Sequence, residues 1–152
     1  MTNDNLTNIK TGLMIWKTSN LWQKLIRSAL KKHSLTFNEY TVLEAIKHLN
    51  KKEDLISQVL ISKFSGVDIS VVSFVLKILE KKTLIKKKID FDNRKKIIEL
   101  KTHGISILNI TIPIIVKIEK NLFDKLGNEE TNFCNSLRLI LGRKIRIKAE
   151  RL

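Results

Sequence analysis

Between Gln58 and Arg94 the order of residue types leaves few folds open. From Ile69 to Lys82, Val72, Val75, Leu76 and Leu79 recur at the spacing of one buried helical stripe. Ser70, Ser73, Phe74, Lys77 and Lys81 fall on the opposite, outward side. Upstream, Ser57 suits the N-cap of a short helix over Gln58–Phe64, where its hydroxyl can accept from an otherwise orphaned backbone N–H. Two helices that cross at ~90–120° through a short turn need a small residue where they touch and a glycine where the backbone reverses. Ser62 and Gly66 stand in those two places. Val67 is then expected to be the buried residue of the turn, with Val72 anchoring the second helix on the first. Gln58, four residues before Ser62, faces the position where a helix N-terminus meets a phosphate. The stretch predicts a helix-turn-helix.

The residues after the second helix extend this reading. The helix is expected to end near Thr83. Leu84–Ile89 and Lys95–Leu100 have the composition of strands, and Asp90-Phe91-Asp92-Asn93-Arg94 between them is rich in turn formers. A hairpin directly after such a helix is a wing. Its basic residues are Lys86, Lys87, Lys88, Arg94, Lys95 and Lys96. A lysine run of this kind can simply guard a solvated strand edge. After a helix pair it is read instead as contacting phosphate, with Arg94 at the tip reaching a narrow minor groove. Asp92 is placed to hold the tip or the guanidinium.

The formal charge of +14 is uneven: residues 1–35 carry +5, residues 81–101 carry +6 and residues 138–152 carry +5. Clustered cations are the footprint of a polyanion, because phosphate neutralisation releases condensed counterions. Double-stranded DNA is therefore the expected partner, against the plain alternative of a solvated basic surface. The single cysteine, Cys134, excludes an intrachain disulfide and any cysteine-based metal cluster. The longest apolar run, Ile105 to Ile118, is interrupted by Asn109, Thr111, Pro113 and Lys117 and falls short of the ~20 residues that span a bilayer. The N-terminus lacks a signal core. No membrane association and a cytoplasmic location are expected.

Helices are expected on both sides of this stretch, so the chain reads as mainly α with a small β-wing. In the helix from about Ile9 to Lys32, Leu21 and Leu25 mark one apolar stripe. Trp22, Ile26, Ala29 and Leu30 mark a neighbouring one, and Ile15 and Trp16 extend both. Two stripes suit a helix shared with a partner subunit, or one buried within a monomer. Thr36 with Glu39 forms a capping box for the next helix, whose buried face would be Tyr40, Leu43, Ile46 and Leu49. Leu55 and Ile56 can form a very short strand. Ile105 to Leu126 is too long for a strand and reads as a helix that Pro113 bends or breaks and Gly127 ends. A last helix starts at Asn128–Glu130 and puts Phe133, Leu137, Ile140 and Leu141 on one face.

With these elements in order, the chain resembles the MarR-type winged-helix transcriptional regulators. The resemblance rests on Leu35-Thr36 with Val42-Leu43, on the run Ser70 to Ile85, and on Asp92-Asn93-Arg94 with Leu100 and Gly104. It covers roughly residues 9 to 150. It implies one domain over residues 1–152, with residues 36–101 as a DNA-binding lobe and residues 9–32 and 102–150 as dimerisation helices. It further implies a homodimer on a pseudo-palindromic operator, and repression relieved by a small ligand or a modification. The DNA-contacting set on this reading is Ser57, Gln58, Ser70, Ser73, Phe74, Lys77, Lys88, Arg94 and Lys95. A phenolic or aromatic ligand site, as the family forms beside its dimer helices, would draw on Trp16, Trp22, His33 and Tyr40, although core packing is the expected use of all four. The same fold can alternatively serve as an interaction module for RNA or a protein partner.

The chain departs from the family pattern at Ile69 and Phe74, where a basic residue is frequent, at Thr83, where glycine is usual, and at Lys101, where threonine is usual. Direct bidentate reading of guanine by the second helix is therefore expected to be weak. Phe74 either touches a thymine methyl or is partly buried, the second being favoured. The wing, with Arg94 and its lysines, is expected to supply more of the affinity, and the helix register and shape fit. No nucleophile elbow, phosphate loop or paired-histidine motif is present, so no enzyme activity, cofactor or metal is expected. His33, His48 and His103 lie in separate elements. Cys134 has no basic neighbour in sequence to activate it and is expected to pack as a small hydrophobe.

Overall fold

The computed structural model describes residues 10–51, 56–90 and 95–146. They fall into two compact units, Met1–Val116 and Lys117–Leu152. The first holds α1 (Thr11–Lys31), α2 (Phe37–Leu49), α3 (Gln58–Ser65), α4 (Ile69–Lys81), β1 (Ile85–Asp90), β2 (Lys95–Leu100) and most of α5 (Thr102–Phe123). The second continues with a 3-10 segment, Asp124–Glu129, and α6 (Glu130–Ile140). The architecture is mainly helical with a two-stranded antiparallel sheet, as the residue pattern predicts.

The core of the first unit gathers around α2. Its N-terminus carries the expected capping box: the Glu39 N–H donates to Thr36 Oγ1 at 3.2 Å and the Thr36 N–H donates to Glu39 Oε2 at 3.1 Å. Tyr40, Leu43, Ile46 and Leu49 are all buried, and so are Val42 and Ala45, because α2 is covered on more than one side. Against it pack α3, α4 and β2, whose buried residues are Ile61, then Val72, Val75, Leu76 and Leu79, then Ile98; Ile85 and Leu108 are buried as well. Ile56 is buried as well, yet it belongs to no strand, and Leu55 lies outside the described residues. The short strand expected there is not formed by Ile56.

The two stripes of α1 separate. Ile26 and Leu30 are buried and Trp22 and Ala29 are half-buried, whereas Leu13, Ile15, Trp16, Leu21 and Leu25 stay exposed. Core packing of Trp16 is thus overturned: the residue is 64% exposed, since the first turns of α1, residues 11–18, are exposed on every side. The helix closes through a left-handed Ser34 at φ 55°, whose successor Leu35 donates its N–H to the Leu30 carbonyl at 3.3 Å.

Pro113 does not break its helix, and α5 runs unbroken from Thr102 to Phe123. The proline deprives the Asn109 carbonyl of its helical partner, but both residues lie on the exposed side, where water can serve that oxygen. The opposite side, Leu108, Thr111 and Ile115, is buried and holds the helix by packing. Gly104 enters α5 against the end of α4: an added Cβ there would overlap the carbonyl oxygen of Leu84, the same atom that accepts the Lys101 N–H at 2.9 Å.

In the second unit α5 ends at Phe123, and Gly127, at φ 54°, turns the chain toward α6. Phe123 and Phe133 pack with ring centroids 6.4 Å apart. Gly142, left-handed at φ 66°, closes α6, and the Arg143 N–H donates to the Arg138 carbonyl at 2.7 Å. Asn135 then holds the following segment, accepting from the Arg146 N–H at 3.0 Å and donating Nδ2 to the Arg146 carbonyl at 2.9 Å. Leu139, Ile140, Leu141 and Ile145 are exposed.

Candidate nucleic-acid interface

The helix pair α3–α4 is built as its residues predict. The Leu60 N–H donates to Ser57 Oγ at 3.3 Å, Gly66 is left-handed at φ 74°, and the two helices are bent by 111°. Ser62 Oγ donates to the Val67 carbonyl at 2.7 Å, and the Val67 N–H donates to Ser65 Oγ at 3.2 Å. The turn is closed through the backbone of Val67. Its side chain is therefore only half-buried, where full burial was expected.

Burial of Val72, Val75, Leu76 and Leu79 fixes the rotation of α4 about its axis. The stripe left facing solvent is Ser70, Phe74, Lys77 and Lys81, with Ser73 half-buried at its margin. Phe74 is 64% exposed, which overturns its expected partial burial: it sits opposite the anchored stripe and cannot turn inward without unseating it. At the head of the helix, Asp68 is an N-cap that sequence reasoning misses, although an acid two residues before a helical serine is a legible capping signal. Its carboxylate accepts from the Ser70 N–H at 2.8 Å and from the Ser70 hydroxyl at 2.5 Å. The hydroxyl bond, then the backbone bond, hold the Asp68 carboxyl below its ordinary value of 3.8. The Ser70 hydroxyl is thus committed as a donor, and a negative charge stands at the helix N-terminus.

The tail of α4 is tied down more firmly than its head. Lys82 Nζ donates to both Glu39 oxygens, at 2.8 and 3.0 Å, and to the Ser34 carbonyl at 2.8 Å. The Glu39 side chain is 3% exposed and that of Lys82 38%. Thr83 follows in the left-handed region at φ 59°, donating its N–H to the Glu80 carbonyl, while the Leu84 N–H donates to the Leu79 carbonyl, both at 2.9 Å. This is a Schellman closure with a β-branched residue where glycine costs least.

In the wing, Ile85 stands opposite Leu100, Lys86 opposite Glu99, and Asp90 opposite Lys95. Ile85 and Ile98 face the core, and the other face carries Lys86, Lys88 and Glu99. Glu99 pairs with Lys86 at 2.9 Å and with Lys88 at 3.3 Å, and Lys87 pairs with Glu80 of α4 at 3.2 Å. The Lys86 hydrogen bond is the largest cause holding the Glu99 carboxyl below its ordinary 4.5, and the same bond raises the Lys86 ammonium above 10.5. The lysine run is therefore partly neutralised from within the chain. Writing the hairpin out in register exposes Glu99 as the partner; composition alone hides it. Arg94 lies outside the described residues, and for Lys95 only the backbone is described.

Of the four residues considered for a ligand site, Tyr40 is buried, Trp22 packs edge-on against Phe37 at 5.3 Å, His33 is half-buried and Trp16 is exposed. None of the four lines the open cleft of about 430 Å³ formed by Arg27, Lys31, Ser34, Leu35, Thr36 and Phe37, which Trp22 adjoins through Phe37. Two cations, a phenyl ring and a leucine in one cleft suit an anionic aromatic guest. His48 stacks on Phe64 with ring centroids 4.4 Å apart, and Cys134 is half-buried. Among the described residues no three His, Cys, Asp or Glu side chains gather as metal ligands, and no single helix is long and apolar enough to cross a membrane.

A comparison with models of known protein families finds no match. The chain is 28% identical over 135 residues to an uncharacterized HTH-type transcriptional regulator, YdcH, of Bacillus subtilis (strain 168), covering 88% of this chain and 91% of that protein. Its fold is similar to that of MepR in the S. aureus MepR–DNA complex (TM-score 0.73, 25% identity, 88% of this chain and 94% of that one). It is also similar to that of a MarR mutant from E. coli complexed with operator DNA (TM-score 0.75, 18% identity, 88% and 94%). With coverage of 88% of this chain in each case, the bent α3–α4 pair, its left-handed turn and the two-stranded wing give the chain a winged helix-turn-helix fold similar to that of the MarR-family transcriptional regulators.

Proposed function

We propose that the chain acts in the cytoplasm as a homodimer that binds a pseudo-palindromic operator in double-stranded DNA and represses transcription until a small ligand or a modification releases it. The observation that carries this reading is the outward stripe of α4. Ser70, Phe74, Lys77 and Lys81 are bare while the opposite stripe is anchored in the core, which is what a helix entering a major groove requires. Residues 36–101 form the DNA-binding lobe on this reading. Ser57, Gln58, Ser73 and Lys77 take phosphates or base edges, Ser70 accepts from a base edge, and Lys88, Arg94 and Lys95 follow the backbone along the wing. Residues 9–32 and 102–150 are the dimerisation helices, supported by the uncovered Leu13, Ile15, Trp16, Leu21 and Leu25 on α1 and by the uncovered Leu139, Ile140 and Leu141 of the second unit. The cleft at Arg27, Lys31 and Phe37 is the ligand site on this reading, for a phenolic or aromatic anion.

Selection from random duplex DNA followed by footprinting tests it. One protected pseudo-palindrome with strong salt dependence is expected, and Lys77→Ala and Arg94→Ala should weaken its binding without unfolding the protein. If both variants bind like the parent at physiological salt, the groove assignments are wrong. If no duplex is enriched, the alternative of an RNA- or protein-binding module moves ahead. That alternative has its own observation: Val59, Phe64, Ile69 and Phe74 give α3 and α4 exposed apolar side chains.

A further inference from the structure

We propose that Phe74 is a specificity-determining residue that reads the 5-methyl group of one thymine in each operator half-site. The inference rests on the DNA-binding reading above and goes further, to the base chemistry that α4 selects. Phe74 stands in the middle of the outward stripe, four residues after Ser70 and three before Lys77, and is 64% exposed. The buried positions Val72, Val75, Leu76 and Leu79 hold it there. Its neighbours leave little else to choose a base. The Ser70 hydroxyl has committed its proton to Asp68 and can only accept from a base edge, Ser73 is half-buried, and Lys77 and Lys81 are flexible point charges suited to phosphate. A phenyl ring has no donor or acceptor with which to answer the polar edges of guanine, adenine or cytosine. Thymine alone among the four bases offers an apolar group in the major groove. A ring carried into that groove therefore gains by covering a methyl and loses by covering a polar edge.

The test uses the full chain and the duplex obtained by selection. Each half-site thymine is replaced in turn by deoxyuridine, which removes the methyl and nothing else. At one symmetry-related pair of positions the replacement is expected to weaken binding about fourfold per half-site, the equivalent of one buried methyl group. Phe74→Ala should bind the thymine and deoxyuridine duplexes equally at that pair, and Phe74→Leu, which keeps an apolar reach, should retain part of the difference. The exposed position makes both variants expected to fold, and circular dichroism checks this. If the parent binds tightly yet shows no such pair, or if Phe74→Ala discriminates as the parent does, the proposal is overturned while DNA binding stands. If no duplex is selected at all, both fall together.

Discussion

Replacing Gly104 by alanine is expected to destabilise the protein by about 2 kcal/mol, although alanine is the better helix former. Gly104 is the third residue of α5, and a methyl there would overlap the backbone carbonyl of Leu84, a residue that is 2% exposed and cannot retreat. Forcing α5 away from the α4–β1 junction costs about 1–3 kcal/mol of overpacking. It also stretches the 2.9 Å bond from the Lys101 N–H to the same carbonyl, worth about 1 kcal/mol. Alanine's propensity returns up to about 1 kcal/mol, less in a first turn. The control is Gly12→Ala in the first turn of α1, where an added Cβ meets nothing within 4 Å. There the propensity acts alone, and a gain of about 0.5 kcal/mol is expected. Urea unfolding followed by circular dichroism measures both, and thermal melts should show a fall of about 4–8 °C for Gly104→Ala. If the two substitutions move stability in the same direction by similar amounts, the close approach of α5 to Leu84 is not what makes glycine necessary.

Four further perturbations probe the same lobe. Thr83→Gly relieves a left-handed β-branched residue and is expected to stabilise by about 0.5–1 kcal/mol after glycine's unfolded-state entropy is subtracted, seen as a rise in urea midpoint. Lys82→Met leaves the buried Glu39 carboxylate without its cation and should cost about 2–3 kcal/mol, most of it recovered in the Lys82→Met, Glu39→Gln double variant; a double-mutant cycle with no coupling would refute the pairing. Because the folded-state Asp68 carboxyl lies below 3.8, its capping contribution is complete above that value and is lost as pH falls through the lowered one; Asp68→Asn should flatten this acid-side loss in a stability–pH profile. Glu99→Gln frees Lys86 and Lys88, and is expected to steepen the salt dependence of duplex binding by about one in log–log slope, which a titration at several salt concentrations reads.

Local signals are legible in the chain because their causes are local. Thr36 and Glu39 are three residues apart, Ser57 caps the helix it precedes, Gly66 turns where its missing Cβ allows, and the stripe Val72–Leu79 repeats within two turns. Thr83 is visible as a departure from glycine, and its left-handed backbone gives that departure a physical meaning. The features that the chain hides depend on partners distant in sequence. Lys82 and Glu39 are 43 residues apart, and Lys88 and Glu99 meet only once the hairpin is in register. Trp16 and Phe74 depart from expectation because an aromatic ring is expected inside, and only the covering of its helix, set by residues elsewhere, shows that it is outside. At Pro113 the sequence leaves a bend or a break open, and of the two the helix is not broken, because packing of Leu108, Thr111 and Ile115 outweighs one lost hydrogen bond on the solvent side.

The internal pairing changes how the proposed complex would divide affinity from selectivity. Lys86, Lys87 and Lys88 face two carboxylates, Glu80 and Glu99, so the first strand of the wing offers far less uncompensated charge than its sequence suggests. A lysine that leaves Glu99 for a phosphate exchanges one anion for another. Such an exchange releases counterions from DNA but exposes a carboxylate beside the backbone it has just approached. The first strand is thus better suited to holding the wing's shape against α4, through Lys87 and Glu80, than to gripping DNA unaided. α4 itself carries Asp68 at its head and has Lys82 turned back to Glu39 and Ser34, which leaves Lys77 and Lys81 as the cations of its outward stripe. Phosphate contact, which every duplex offers equally, does not rank operators. Within the stripe of α4 ranking falls to the uncharged side chains, and the largest and most exposed of them is Phe74.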